Sequence, residues 1–319
     1  MTLQIPEPTA VPEAAHRLQK IVNHTPIHTS RTLDKQTGQQ IFLKCENFQR
    51  VGAFKFRGAY NAVSQLTEAQ KAAGVITHSS GNHAQGLALA AKLLGVQATI
   101  VMPEDAPAIK KAATADYDAH IITCPAIDRE TVCHQQIARH GYTLIHPYDN
   151  PHIIAGAGTA AWELLQEAGP LDLILTPVGG GGLLSGTALA AAAHQTGCQV
   201  IGVEPALAND AQRSWQTGEI VRLTAVPRTI ADGLRTRFVG EHNLPILRQY
   251  VSNILTVTET EIIDALKYLW TRLKLVVEPS SAVPLAAILS GKITPKNQRI
   301  GVILSGGNVD LAQISSLFT

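Results

Sequence analysis

The chain has 319 residues, with 26 Lys or Arg, 25 Asp or Glu and a formal net charge of +1, and this length suits two domains with a sizeable core. Charges of both signs are spread along the chain, so there is no basic stripe for nucleic acid and no acidic tail, and we expect a small-molecule partner. The amino-terminal stretch has no signal-peptide pattern and the four cysteines form no C-x-x-C pair, which predicts a cytoplasmic protein with reduced thiols.

Short apolar runs alternate along the chain with longer helical patterns. Strands are predicted at 40–46, 74–79, 98–103, 119–124, 171–178, 198–204 and 299–306. Helices are predicted at 58–73, 83–95, 106–115, 128–140, 156–168, 183–195, 259–273 and 280–290. Strands that are apolar on both faces and separated by helices are typical of parallel sheets covered by helices, so the predicted class is α/β. The stretch PYDNPH at 147–152 is predicted to be a hinge between two lobes.

The stretch VGAFKFRGAY, residues 51–60, places Lys55 between Phe54 and Phe56. Its alternation of apolar and charged residues fits a half-exposed strand whose lysine faces water, which is the ordinary position of a lysine. A lysine amine becomes nucleophilic when desolvation lowers its pKa, and flanking aromatic rings are one source of desolvation. Taken alone, the stretch leaves a surface lysine and a reactive lysine as alternatives.

Residues 173–193 carry no charge and are long enough to span a bilayer. Four consecutive glycines would break a helix in the middle of this segment, and its flanks lack the basic and aromatic residues that mark a membrane span. A buried strand, a glycine loop and a buried helix explain the segment better. We therefore predict no membrane partner.

The glycine loop, Gly179, Gly180, Gly181 and Gly182, lies between a predicted strand and a predicted helix. Bare glycine backbone and helix N-terminal amides at such a junction can hold an anion, which predicts a phosphate site. No register of the loop matches the G-x-G-x-x-G fingerprint of dinucleotide sites, and the lysine of a Walker loop is missing. The alternative is a tight turn in which the glycines allow close packing.

Two further junctions place small polar residues after predicted strands, SSGNH at 79–83 and SGGN at 305–308. Serine and asparagine at a helix start are ordinary N-caps, which accounts for one or two of these residues. In open parallel sheets ligands bind beyond the carboxyl ends of the strands, so we expect the three junctions to converge on one crevice. His83 is predicted to be a helix-start or pocket residue rather than a base.

A weaker pattern follows the strand predicted at 198–204. Glu204 and, six residues further on, Asp210 lie in one loop, where two carboxylates and a backbone carbonyl could hold a hard cation such as Mg²⁺ or Ca²⁺. From these residues alone, two solvated acids are the simpler interpretation. The histidines and cysteines do not form the combined His/Cys spacing of a zinc site.

Five motifs in chain order, GAFKFRGA, SSGNHAQG, PVGGGGLLSG, EPSSA and LSGGN, resemble the pyridoxal-phosphate enzymes of fold type II, and within them the serine/threonine dehydratase and serine racemase family. The resemblance runs from about residue 16 to residue 311. It implies a tryptophan-synthase-β-like architecture of two lobes, each a mostly parallel twisted sheet covered by helices. A large domain would contain residues 1–72 and 150–319, and a small domain residues 73–149. A homodimer is also implied.

The resemblance implies pyridoxal 5′-phosphate as the cofactor and gives each motif a role. Lys55 would carry the cofactor covalently, Phe54 would pack against the pocket wall, and Asn82 would bond the pyridine hydroxyl. The loop Gly179–Gly182 would hold the phosphate, and Ser305 would face the pyridine nitrogen. A neutral serine at that nitrogen does not keep it protonated as a carboxylate would, which favours elimination over transamination.

The resemblance also implies substrate and cation sites. Ser80 would face the substrate Cα opposite Lys55 and would be the second catalytic residue. The residues predicted to bind substrate are Ser79, Ser80, Gly81, Asn82, His83, Arg129 and Thr236. Glu204, Asp210 and the carbonyl of Ala208 match the family's cation ligands, with Mg²⁺ expected and Mn²⁺ or Ca²⁺ as alternatives.

Three positions depart from the family pattern. Ala53 stands where a serine is usual, so the hydrogen bond of that hydroxyl is absent. Ser281 in EPSSA stands where Gly or Ala is commoner. Arg50 and Val51 replace the Lys-Thr pair of the nucleotide site in eukaryotic serine racemases, which puts ATP activation in doubt.

The leading hypothesis is an ammonia-lyase that converts L-threonine or L-serine to a 2-oxo acid and ammonia by α,β-elimination. A serine or aspartate racemase and a threo-3-hydroxy-L-aspartate ammonia-lyase would use the same residues. The hydroxyaspartate substrate needs a cation for its second carboxylate, for which Arg129, Arg235 and Arg237 are candidates, although they are equally well explained as surface charges. A remote alternative is a non-catalytic ligand-binding protein on the same scaffold.

Overall fold

A computed structural model describes residues 3–104, 106, 108–195, 197–315 and 317–318 of the chain. The strands are β1 (Ile27–His28), β2 (Gln40–Cys45), β3 (Val75–His78), β4 (Ala98–Pro103), β5 (His120–Cys124), β6 (Thr143–Leu144), β7 (Leu173–Pro177), β8 (Gln199–Pro205), β9 (Asn253–Val257) and β10 (Arg299–Leu304). The helices are α1 (Ala10–Leu18), α2 (Arg31–Thr37), α3 (Lys55–Ser64), α4 (Glu68–Ala73), α5 (Asn82–Leu93), α6 (Ala108–Ala115), α7 (Arg129–His140), α8 (Pro151–Ala168), α9 (Gly182–His194), α10 (Asp210–Thr217), α11 (Asn243–Tyr250), α12 (Glu259–Thr271), α13 (Pro279–Leu289) and α14 (Leu311–Ser315).

The larger sheet has six strands in the order β1-β2-β10-β7-β8-β9. Strand β1 runs antiparallel to β2, and the other neighbouring pairs are parallel. The register places Leu304 beside Cys45 and Pro177 beside Val203. Strands β2, β10, β7 and β8 therefore end at one edge of the sheet, and the loops that follow them start there.

The smaller sheet has four parallel strands in the order β5-β4-β3-β6. Its strands lie between Val75 and Leu144, and so come between β2 and β7 of the larger sheet in the chain. Strand β4 is buried at all six positions, as a central parallel strand covered on both faces must be. The predicted class, α/β with two mostly parallel sheets, is confirmed.

All seven predicted strands are present. Strands β1 and β6 were missed because two residues give no periodicity. Strand β9 was missed because it is a five-residue edge strand in which only Ile254 and Val257 are buried, so it gives no clear periodicity. Residues 173–193 form β7, the glycine loop and most of α9, as predicted. Within the described part of the chain, no helix has both the length and the apolar character that a membrane crossing requires.

The predicted helices are also present, with shifted boundaries. The helix predicted at 58–73 is two helices, because Thr67 forms a capping box with Gln70 and starts α4. Helix α3 begins at Lys55, before the expected start near Gly58. Helix α6 begins at Ala108, and residue 107 of its predicted range lies outside the described residues.

Helices α1, α2, α10, α11 and α14 were not predicted, and four of them are shorter than nine residues. Helix α8 was predicted from 156 but begins at Pro151, with the Asn150 side chain accepting hydrogen bonds from the amides of His152 and Ile153. The second half of the predicted hinge at 147–152 is therefore a capped helix start.

Candidate active site

The loops that follow β2, β3 and β10 meet around the start of α3. The amide of Phe54 donates to the carbonyl of Ser305 (3.0 Å), which joins the loop after β2 to the loop after β10. The side chain of Asn308 donates to the Asn82 side-chain oxygen (2.9 Å), which joins the loop after β10 to the start of α5. Two of the three junctions that we expected to converge are therefore in direct contact.

Lys55 lies at the centre of this arrangement, at the first position of α3. Its amine donates to the carbonyl of Pro147 (2.6 Å) and lies 5.1 Å from the centre of the Phe54 ring. Burial lowers the pKa of Lys55 from 10.5 to about 8, and the opposing charge of Glu278 limits the fall. About a tenth of this amine is therefore uncharged at pH 7, far more than in a solvated lysine.

Asn82 begins α5, and its amide nitrogen donates to both carboxylate oxygens of Glu278 (3.0 Å each). Glu278 is buried, with 4% of its surface exposed, and its charge reaches Lys55. Neither Glu278 nor Asn308 received a role from the sequence, although both stand in the quoted motifs EPSSA and LSGGN. An acidic residue at the start of a buried, otherwise uncharged motif was the available signal.

The other predicted residues of the 79–83 turn have simple surroundings. Ser79 accepts a hydrogen bond from the Gly81 amide (3.4 Å), and Ser80 is half-buried. Nothing described lies within 4 Å of a Cβ built on Gly81, so this turn borders open space. A substrate group has room beside it.

His83 is 2% exposed, and its Nε2 lies 3.0 Å from the carbonyl of Ile145. Burial and the nearby Lys55 lower the pKa of His83 to about 3, so the ring is neutral and Nε2–H donates to that carbonyl. These contacts support the prediction of a pocket residue that is not a base.

Contacts with Tyr148 account for two of the four glycines in the loop. A Cβ on Gly180 would lie 2.3 Å from the Tyr148 ring, and a Cβ on Gly182 would lie 3.1 Å from Tyr148. Gly181 has a φ of +99°, which favours glycine, and Thr236 Oγ1 lies 3.2 Å from a Cβ built on Gly179. Close packing, the alternative left open by the sequence, is therefore one reason for the four glycines.

Close packing is not the only property of the loop. Among the described residues, the amides of Gly179, Gly180, Gly181 and Gly182 meet no acceptor, and the buried Oγ1 of Thr236 also has no partner. Unpaired amides at the N-terminus of a helix as long as α9 form a site that fits a phosphate group. The loop adjoins Tyr148, the neighbour of Pro147, so it lies on the same side of the molecule as Lys55.

Hydrogen bonds hold the first three residues of the predicted hinge, Pro147, Tyr148 and Asp149. Beyond the contact between Pro147 and Lys55, the Tyr148 carbonyl accepts from Asn243 (3.1 Å). The Asp149 carboxylate accepts from the amides of Glu241 and His242 and lies 2.9 Å from the His242 ring nitrogen. These bonds hold the segment against the start of α11.

The predicted cation residues form a second cluster, at the end of β8. Glu204 and Asp210 are 0% and 1% exposed, and Ala208 lies between them in a 3₁₀ turn. Burial raises the pKa of Glu204 well above its ordinary value, with repulsion from Asp210 adding to the shift, and burial raises the pKa of Asp210 to about 7. One Asp210 oxygen, Oδ2, is buried without a partner among the described residues. Two buried acids and an orphaned oxygen fit a hard cation.

Arg129 begins α7 and is not in contact with Lys55 in the described contacts. Its Nε donates to the carbonyl of Ala126 (3.0 Å), and its charge lowers the pKa of His78, although burial is the larger cause of that shift. His78 ends β3 next to Ser79. Arg129 therefore lies at the margin of the crevice.

The α/β fold brings a half-buried lysine amine and a loop whose amides meet no acceptor among the described residues to one side of the molecule, an arrangement suited to a cofactor that carries an anionic group. The chain matches the family described as pyridoxal-phosphate dependent enzyme over residues 18–306. A crystal structure of the T.th. threonine deaminase aligns with a TM-score of 0.91 and 46% identity, covering 96% of this chain and 99% of that chain.

Two curated relatives are also close in sequence. L-threo-3-hydroxyaspartate ammonia-lyase from Pseudomonas sp is 52% identical over 307 residues, covering 96% of each chain. Serine racemase from Schizosaccharomyces pombe is 50% identical over 311 residues, covering 97% of this chain and 96% of the relative. The chain belongs to the pyridoxal-phosphate dependent enzymes of fold type II, and the predicted family is confirmed.

Proposed function

We propose that this enzyme is an ammonia-lyase that removes water and then ammonia from a small β-hydroxy amino acid. The observation that carries the proposal is the Lys55 amine, which has a pKa of about 8 and lies among the converging loops. When bound, pyridoxal phosphate supplies an electron sink for substrate Cα. Lys55 would hold the cofactor, the Gly179–Gly182 amides its phosphate, and Asn82 and Ser305 its ring.

Different residues of the chain would then bind the substrate and transfer its Cα proton. The amides at the start of α5 suit the substrate carboxylate, because a helix N-terminus attracts an anion. The neutral Lys55 amine would take the Cα proton, with Ser80 on the opposite face. Loss of the β-hydroxyl as water, followed by hydrolysis, gives a 2-oxo acid and ammonia.

The experiment is a substrate panel. Purified enzyme with pyridoxal phosphate and Mg²⁺ is assayed for oxo acid from L-threonine, L-serine and threo-3-hydroxy-L-aspartate. We expect oxo acid from at least one substrate and none from the Lys55→Ala variant, which also loses the cofactor's absorption band. Absence of oxo acid from all three would refute the proposal, as would a yellow, active Lys55→Ala enzyme.

Among these substrates we propose 3-hydroxyaspartate as the preferred one, in place of threonine or serine. The relative from Pseudomonas sp carries that name at 52% identity. Arg129 is the best placed cation for a second carboxylate, because its charge reaches His78 beside Ser79. Arg235 and Arg237 donate through Nε to the carbonyls of Thr229 and Leu223, as Arg129 does to the carbonyl of Ala126. The influence of its charge on His78 is therefore what sets Arg129 apart.

Replacing Arg129 tests this assignment. Arg129→Gln should raise KM for 3-hydroxyaspartate by about tenfold or more, since a paired charge contributes about 1.5–3 kcal/mol, and should leave KM for serine unchanged. Arg139→Gln, at the exposed end of the same helix, is the matched control. Equal loss with both substrates would mean that Arg129 supports the fold only.

Racemisation is the second candidate, favoured by the 50% identity to the serine racemase from Schizosaccharomyces pombe. It requires an acid on the second face of Cα, for which Ser80 is our candidate. Chiral analysis of unreacted serine tests it, and Ser80→Ala should reduce racemisation more than elimination. If the enzyme binds the second carboxylate of its substrate, the corresponding substrate for racemisation is aspartate.

We further propose that Glu204, Asp210 and the carbonyl of Ala208 bind a divalent cation, Mg²⁺ first and Mn²⁺ or Ca²⁺ as alternatives. The support is the orphaned Oδ2 of Asp210 and the two raised carboxyl pKa values. The homodimer, the cytoplasmic location and the division into a small domain at 73–149 and a large domain stay predictions. Light scattering of the holoenzyme tests the dimer.

A further inference from the structure

The hydroxyl of Ser281 has three short polar contacts. Its oxygen lies 2.6 Å from the Gly306 carbonyl oxygen, 2.7 Å from the Gly306 amide nitrogen and 3.0 Å from the hydroxyl oxygen of Ser305. Ser281 and Ser305 are 0% and 4% exposed, so water does not compete for these bonds. Ser281 is also one of the positions at which the sequence departs from the family pattern.

Counting hydrogens fixes the direction of each bond. A carbonyl oxygen can only accept and an amide can only donate, so Ser281 gives its single hydrogen to the Gly306 carbonyl and accepts one from the Gly306 amide. If that hydrogen pointed to Ser305 instead, two oxygens 2.6 Å apart would face each other with no hydrogen between them. Ser305 is therefore the donor to Ser281.

This direction uses the only hydrogen of Ser305, so toward any further group its oxygen can only accept. We propose that Ser281 makes Ser305 a hydrogen-bond acceptor for the cofactor's pyridine nitrogen and thereby favours the protonated ring. The inference rests on the proposed function, in which Ser305 faces that nitrogen. A serine with a free hydroxyl hydrogen would instead donate that hydrogen to the pyridine nitrogen and favour the unprotonated ring.

The negative charge of Glu278, which lies beside Ser305 and Gly306, also favours protonation of the ring. A Cβ on Gly306 would lie 3.1 Å from an oxygen of Glu278, so the buried carboxylate adjoins the Ser305–Gly306 peptide. A negative charge in a low-dielectric site favours a cation nearby. Glu278 thus adds to the effect of Ser305.

Protonation of the ring changes what the enzyme does with its substrate. When bound, a cofactor with a protonated ring would withdraw more electron density from Cα than one with a neutral ring. Return of the proton to either face of Cα then competes better with elimination. Ser281 would therefore raise the share of racemisation relative to elimination.

The test is nitrogen NMR of the holoenzyme loaded with pyridoxal phosphate that carries ¹⁵N in the ring. The ring-nitrogen pKa should be about one unit, or tenfold, higher in the wild type than in Ser281→Ala, because the variant frees the Ser305 hydrogen to donate to the nitrogen. Ser281→Gly is a second variant in case the first loses its cofactor. In both, the ratio of racemised to eliminated serine should fall.

Ser280→Ala is the matched control. Ser280 is a buried neighbour whose hydroxyl accepts from the Gly233 amide (3.0 Å), and it shares no described bond with Ser305. Its removal should leave the ring-nitrogen resonance unchanged. A neutral ring in the wild type, or the same pKa in wild type and Ser281 variants, would overturn the inference. Failure of labelled cofactor to attach to the wild type would instead refute the proposed function.

Discussion

Two buried acidic clusters in this protein differ in what surrounds them. In the first, Arg57 donates to both oxygens of Glu46 (2.7 and 2.8 Å) and to both oxygens of Glu163 (2.7 and 2.8 Å). Lys44 adds a second cation 2.8 Å from Glu163. In the second, Glu204 and Asp210 have only backbone donors among the described contacts.

The pKa values follow this difference. Burial favours protonation of Glu163, but the hydrogen bonds and charge of Arg57 hold its pKa below the ordinary value. For Glu204 and Asp210, backbone hydrogen bonds and the charge of Arg213 offset burial only in part, so their pKa values rise. Buried acids that bring their own cations are part of the scaffold, whereas buried acids without one are the better place for an ion from solution.

The largest expected effect comes from breaking the paired cluster. Arg57→Met leaves the buried carboxylate of Glu46 and the half-buried carboxylate of Glu163 without their main partner. It should lower the free energy of unfolding by about 3–5 kcal/mol, measured by urea denaturation of the apoprotein. Lys71→Met, which breaks an exposed pair with Glu68, should cost about 1 kcal/mol or less. A loss at Arg57 no larger than that at Lys71 would show that the buried network does not stabilise the fold.

Two lysines, Lys44, which is buried, and Lys55, which is half-buried, extend the comparison. Lys44 lies against carboxylates, whereas Lys55 donates to a carbonyl and has a pKa of about 8. Covalent attachment of pyridoxal phosphate needs the neutral amine, so its rate should rise with pH with a midpoint near 8 rather than 10.5, followed by absorbance. Glu278→Gln should move the midpoint lower, because Glu278 raises the pKa. A midpoint near 10.5 would contradict the burial of the amine.

The unpaired cluster should respond to Mg²⁺. In cation-free protein the raised pKa of Asp210 means that the folded state binds its proton more tightly than the unfolded state, so stability falls as pH rises from 3.8 to about 7. Above that range, Mg²⁺ at a hundred times its Kd should add about 2.7 kcal/mol to the free energy of unfolding. Asp210→Asn should abolish the response to Mg²⁺, measured by thermal unfolding with and without EDTA. If Mg²⁺ stabilised Asp210→Asn as much as it stabilises the wild type, the ion would bind at another site.

The smallest effect is expected at a third acidic group. His24, Glu163 and Glu167 offer ligand atoms within 4.8 Å of one another, but the Lys44 ammonium lies 2.8 Å from Glu163 and 3.3 Å from Glu167. That charge repels a metal ion. Glu167→Gln should change the free energy of unfolding by about 1 kcal/mol or less and leave the Mg²⁺ response intact. If Glu167→Gln abolished the stabilisation by Mg²⁺, the cation would bind at His24, Glu163 and Glu167 instead.

The sequence predicted those parts of the fold that depend on local patterns. Seven strands and eight helical regions were found from apolar runs such as the fully buried β4. What it missed lacked such a pattern, as in the half-exposed edge strand β9 and the short helix α11. The interruption at Thr67 was readable in principle, since Thr67 and Gln70 have the spacing of a capping box.

For the site, the sequence by itself determined which family its motifs belong to, because motif order and residue type are properties of the chain alone. The tertiary structure decided what surrounds each residue. It places the Lys55 amine against the Pro147 carbonyl and Glu278 against Asn82, packs Tyr148 against Gly180, and brings the hydroxyl oxygens of Ser281 and Ser305 to 3.0 Å from each other. These contacts join residues far apart in the chain, and burial, proton position and pKa depend on such neighbours rather than on local sequence.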